Sequence, residues 1–148
     1  MLRCLVGVSE VSSLFWDDLA SDLEDPEFLR AYVRESVRIA TVDAIINSLD
    51  DARLAEGLSK AELARAIGTE PATIRRLFAG GTPARNPTLG TLVDVAATLG
   101  LRISVEPLPE DEKRAVTEPL RNGKVTRAAL KKLAALRSAA DRGSTQPA

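Results

Sequence analysis

Arg75 and Arg76 stand side by side in the stretch GTEPATIRRLFAGG, residues 68–81. A guanidinium is planar, permanently charged and carries a fixed fork of N–H donors. An adjacent pair therefore suits bidentate capture of phosphate oxygens or of the O6 and N7 edge of guanine. The same side chains also serve simply to hydrate the outer face of a small helix. The element that holds them decides between these uses. Other reactive chemistry is sparse. The 148-residue chain has no histidine and one cysteine, Cys4, which removes an intrachain disulfide, the usual zinc ligand sets and the commonest general base. No pair of polar residues has the spacing of a catalytic site, so no enzyme, metal or cofactor is expected.

The length suits one domain with tails. Aromatic residues make up only 3% against 45% hydrophobic, so a core must come from Leu, Ile, Val and Ala, which favours packed helices. No apolar run approaches the ~20 residues needed to cross a membrane. A reducing, cytoplasmic setting is expected. The net charge of −1 conceals an asymmetry. Residues 1–35 carry −5 and residues 36–112 carry −3, whereas residues 113–148 hold nine basic side chains against Glu118 and Asp141, a net +7. Such a tail suits phosphates, an acidic protein surface or plain solvation.

The elements that must position the arginines have clear punctuation. Met1 to Val8 has the composition of a short strand. Ser12 to Leu23 is expected to be an acidic helix, with Leu14, Phe15, Leu19 and Leu23 on one side. Asp25-Pro26-Glu27 opens another helix, with Asp25 as N-cap and Pro26 at N1; it either stops near Ile39 or runs on through the apolar spacing Val42, Ile45, Ile46 and Leu49 toward Gly57. Ser59-Lys60-Ala61-Glu62 is a capping box that starts a helix ending at Gly68, with Leu63, Ala66 and Ile67 expected inward. Pro71 opens the next helix, and Gly80-Gly81 closes it. At ~100° per residue, Ile74, Leu77 and Phe78 form its core stripe, which leaves Ala72, Arg75 and Arg76 outward and Thr73 on the margin. Beyond the loop 81–87, Thr88 caps a helix whose Leu89, Leu92, Val93, Ala96 and Leu99 are expected inward, with Gly100 as its stop. Leu101, Ile103 and Val105 alternate with Arg102, Ser104 and Glu106, the period of a strand, for which the N-terminal strand, a second copy or another protein is a possible partner. Residues 110–122 read as a linker. Thr126 caps a last helix with Leu130, Leu133 and Leu136.

Two short helices joined by a glycine-containing turn form the pattern of a helix-turn-helix, whose second helix enters the major groove. Leu63-Ala64, Ala66, Ile67-Gly68 and the spacing onward to Ile74 and Gly80 resemble the Cro and phage-repressor (Xre) family. Asn86-Pro87-Thr88-Leu89, Thr91-Leu92, Ala97 and Leu99-Gly100-Leu101 extend the resemblance over roughly residues 45–108. With Asp25-Pro26-Glu27-Phe28 ahead and Leu101 to Val105 behind, the arrangement looks most like HigA-like antitoxins.

The resemblance implies a mainly α protein: a five-helix, phage-repressor-like domain at 41–108 ending in a short strand, an acidic helical extension at 1–40, and a basic linker and helix at 109–148. It also implies a homodimer that binds operator DNA at the nucleoid, represses its own operon and neutralises a small ribonuclease toxin. Carried over by position, Lys60 would approach a phosphate and Thr73, Arg75 and Arg76 would face the groove, with Ala72 beside them. Glu70 and Pro71 depart from the family pattern, which usually has a small polar cap and often a glutamine there. Phe15, Trp16 and Leu19 are candidates for a partner-binding patch, or else for an anchor of the N-terminal helix. A stand-alone regulator and an interaction module without DNA reading are the competing expectations.

Overall fold

The computed structural model describes residues 14–15, 17–79 and 86–143, which form seven helices and no strand. They are α1 (residues 14–15 and 17–22), α2 (Pro26–Ala55), α3 (Lys60–Ile67), α4 (Pro71–Phe78), α5 (Leu89–Thr98), α6 (Glu110–Asn122) and α7 (Arg127–Gly143). The expected strand at Met1 to Val8, Trp16 and the closing Gly80-Gly81 lie outside the described residues. The chain divides into two units. One holds the described residues up to Ser36 together with Leu108–Ala134, and the other holds Val37–Pro107 with the residues from Ala135 onward.

α2 starts as the sequence dictates. The Asp25 carboxylate accepts the N–H of Glu27 at 3.0 Å, which satisfies one of the donors that a helix start leaves open. No glycine or proline interrupts residues 27–55, so the helix runs its full 30 residues. Within it, Leu29, Val33 and Ser36 are buried in the first unit, and Ile46, Leu49 and Arg53 in the second. Both sets follow i, i+3, i+4 spacing. Ser36 loses no hydrogen bond by its burial, because its hydroxyl donates to the Tyr32 carbonyl at 2.7 Å.

The core of the second unit is aliphatic. Ile46, Leu49, Leu63, Ala64, Ile74, Leu77, Leu92, Val95, Ala96 and Leu99 form one buried cluster, with Leu58, Ile67, Phe78 and Ile103 partly buried against it. Each fully buried Leu or Ile contributes about 1.5–3 kcal/mol relative to exposure. Two inward stripes differ from expectation. On α3, Ala64 is buried and Ala66 is exposed, because the stripe Leu63, Ala64, Ile67 follows i, i+1, i+4. On α5 the buried set is Leu92, Val95, Ala96 and Leu99, whereas Leu89 and Val93 stay exposed. Alanine is small and neutral in hydropathy, so periodicity alone could not decide which side it takes.

Three larger expectations are corrected. Residues 37–107 contain four helices, the later part of α2 with α3, α4 and α5, rather than five. Residues 101–109 form neither helix nor strand. A strand exists only where a second strand completes its ladder, and none of the described residues supplies one. Finally, residues 110–122 form α6 rather than a linker. Glu110, Asp111 and Glu112 occupy its first turn, where the helix dipole favours acidic groups, and Ala115, Val116 and Pro119 are buried.

The first unit is also tied by polar contacts. Arg30 donates from Nε to the Leu120 carbonyl at 3.2 Å. Lys132 meets Asp111 at 2.8 Å, and Arg127 meets Asp17 at 3.6 Å. The hydrogen bond from Lys132, more than its charge, holds the Asp111 carboxyl below its ordinary range, and the same contact raises the Lys132 ammonium. Thr126 caps α7 as expected, accepting the N–H of Ala129 at 3.1 Å. Lys113, which meets Glu110 at 3.9 Å, joins Arg127 and Lys132 as cations of the basic tail engaged inside the chain. No helix among the described residues is long and apolar enough to cross a membrane.

Candidate nucleic-acid interface

The arginine pair is positioned by α3, the turn after it and the packed side of α4. α3 begins with the capping box read from the sequence. Ser59 Oγ accepts the Glu62 N–H at 3.1 Å, and Glu62 Oε2 accepts the Ser59 N–H at 2.8 Å. Those bonds to Ser59, the backbone one foremost and the hydroxyl next, keep the Glu62 carboxyl below its ordinary range, with Arg65 adding a smaller electrostatic contribution.

The turn depends on Gly68, whose φ of 70° lies in the left-handed region that side chains with a Cβ rarely adopt. There the Gly68 N–H points back to the Ala64 and Arg65 carbonyls, and the Thr69 N–H reaches the Ala64 carbonyl at 2.9 Å. The last carbonyls of α3 are thus satisfied while the chain turns into α4.

α4 starts without a side-chain cap. Glu70 occupies the N-cap in an extended conformation, but its carboxylate makes no capping bond. Pro71 supplies the preset φ of N1, and the Glu70 carbonyl accepts the Thr73 N–H at 2.9 Å. With so weak a start, α4 depends on packing. Ile74 is fully buried, Leu77 is buried and Phe78 is half-buried. Ala72, Arg75 and Arg76 are exposed together on the opposite side, and Thr73 is half-buried at the margin. The structure thus places the four α4 candidates where the periodicity predicts. Lys60 sits at the first turn of α3, half-buried.

Sequence reasoning passed over one residue that shapes this region, Arg53. It is only 8% exposed, near the end of α2. Its Nε donates to Asp50 at 2.8 Å and its Nη1 to the Leu58 carbonyl at 2.8 Å. The guanidinium also lies 5.8 Å from the centroid of the Phe78 ring. One side chain therefore ties the end of α2, the turn before α3 and the last residue of α4. Its sequence signal is an Asp-x-x-Arg pair on a helix that ends two residues later at Ala55.

The candidate partner patch belongs to the other unit. Phe15 is 61% exposed, Leu19 is half-buried, and Trp16 lies outside the described residues. Asp17, Asp18, Asp22 and Glu24 are exposed around them in sequence. No cluster of potential metal ligands occurs among the described residues.

Residues 49–105 match the HTH_3 helix-turn-helix family, a family of DNA-binding domains. The match runs from the end of α2 through α5 and into the segment after it, and so contains the capping box, Gly68 and the arginine pair. It supports an Xre- or Cro-like DNA-binding regulator. No curated protein and no solved structure gives a significant match.

Proposed function

We propose that this protein is a homodimeric, sequence-specific repressor that reads operator DNA with α4, and that it acts as the antitoxin of a small ribonuclease toxin encoded beside it. The observation that carries the DNA reading is the outward row Ala72, Arg75 and Arg76, set on α4 against the buried Ile74 and Leu77 directly after a glycine turn. In this reading the outer side of α4 enters the major groove. Arg75 and Arg76 pair bidentately with guanine edges, Thr73 contacts the groove margin, and Lys60 approaches a backbone phosphate. Pro71 contributes no reading group, and Glu70 repels phosphate, so recognition rests on the two arginines and covers a short base sequence.

The antitoxin role draws on the resemblance to HigA-like proteins and on the exposed acidic run Asp17 to Glu24. Ribonucleases that grip RNA carry basic surfaces, and an acidic helix with Phe15 exposed beside it suits such a partner. The test is co-expression with the adjacent small reading frame, together with footprinting of the DNA upstream of both genes. Co-purification with a protected upstream site supports the whole proposal. A protected site without any bound neighbour leaves a stand-alone regulator, and no protected site removes the DNA reading.

A further inference from the structure

The segment that follows α5 forms neither helix nor strand and leaves backbone groups without partners among the described residues. We propose that residues 101–106 pair antiparallel with the same residues of a second copy, in the register that sets Arg102 of each chain opposite the partner's Glu106. This inference rests on the homodimer reading and assigns it an interface.

The single chain leaves this segment exposed in a patterned way. Ile103 is partly buried against the core of its own unit, whereas Leu101 is 44% exposed and Val105 is completely exposed. Once the segment is extended as a strand, the three share one side, and a chain laid beside this one would cover the outlying pair. The backbone also distinguishes its two edges. The Leu101 N–H is already committed to the Ala96 carbonyl at 2.8 Å, and Pro107 has no N–H. Residues 101, 103, 105 and 107 therefore turn their backbone groups away from a new neighbour, and residues 102, 104 and 106 turn theirs toward it. None of the backbone groups of Arg102, Ser104 and Glu106 has a hydrogen-bond partner among the described residues.

A two-fold axis through Ser104 uses all of these features. It pairs Arg102 with the partner's Glu106 twice, Ile103 with the partner's Val105 twice, and Leu101 with the partner's Pro107. About six backbone hydrogen bonds close at residues 102, 104 and 106. Pro107 falls at a non-hydrogen-bonded position, where its missing donor costs nothing. A slip of one residue would mix charged and apolar side chains on both faces. A shift of two residues would leave either Arg102 or Glu106 opposite Ser104 and forfeit the charge pairs. Charge complementarity thus selects both a second copy of this chain as the occupant and one register.

Sedimentation equilibrium of the full-length protein at low salt tests this. R102E and E106R each place like charges opposite one another twice per dimer and are expected to weaken association by roughly tenfold, while the double reversal R102E/E106R restores it. Val105→Asp should weaken association with the monomer's thermal unfolding unchanged, since that side chain touches nothing in the single chain. A cysteine at Ser104, with Cys4 replaced by Ser, should cross-link to its own copy through a short bismaleimide more efficiently than one at Arg121. A wild-type protein that stays monomeric overturns both this interface and the homodimer reading. A dimer indifferent to the charge reversals and to Val105→Asp overturns the interface alone.

Discussion

Arg75 and Arg76 owe their fixed position to what lies behind them. Ile74 and Leu77 fix α4 from its inner side, so the guanidinium groups start from a held backbone. Replacing either arginine by alanine is expected to cost about 1–3 kcal/mol in specific DNA affinity and to relax base preference at one position, which competition binding with operator variants measures. Lys60→Ala should instead weaken binding to all sequences alike and lower the salt slope by about one. Glu70 gives a prediction of the opposite sign. Its carboxylate makes no cap bond and stands at the start of α4, so Glu70→Gln should strengthen DNA binding, with little change in the melting temperature. Weaker binding by Glu70→Gln would show that α4 does not face phosphate.

At the level of the elements, stability and legibility meet in α3 and α4. The capping box, the glycine turn, Pro71 at N1 and the Thr88 cap were all readable, because each rests on a local bond or on the backbone preference of a single residue. α6 was not readable: its internal proline and its charges resemble a linker, and its narrow buried row of Ala115, Val116 and Pro119 gains meaning only from tertiary packing. The end of α2 hid Arg53 for the same reason, since a charged residue on a helix reads as surface until a carbonyl, a carboxylate and a ring close around it. Arg53→Ala should destabilise the second unit by about 3 kcal/mol, because it strands the Leu58 carbonyl and removes support from Phe78, and urea unfolding measures this. The capping box adds a pH dependence. Glu62 titrates below its unfolded value, so its contribution is complete above that value and is lost as pH falls through the folded one. Glu62→Gln should therefore lower the melting temperature near neutral pH, with the difference from the wild type closing in acid.

For the whole molecule, charge is divided by use. The tail reads as a polycation in sequence, yet Arg127 and Lys132 are paired with Asp17 and Asp111, and Leu130 and Leu133 are buried. Deleting residues 113–148 would remove these core residues along with the charge, so Lys124→Gln with Lys131→Gln, both exposed, is the cleaner probe of the tail on DNA. In the proposed antitoxin, reversing Asp18 and Asp22 to Lys should weaken capture of the basic toxin and leave operator binding intact. The measurement that bears most directly on the central claim is selection of DNA fragments by the wild-type protein and by the double variant Arg75→Ala/Arg76→Ala at matched salt, with circular dichroism confirming that both are folded. The wild type is expected to enrich a defined sequence upstream of its own gene, and the folded double variant is not. Enrichment of the same sequence by both proteins, or of none by the wild type, would contradict that claim.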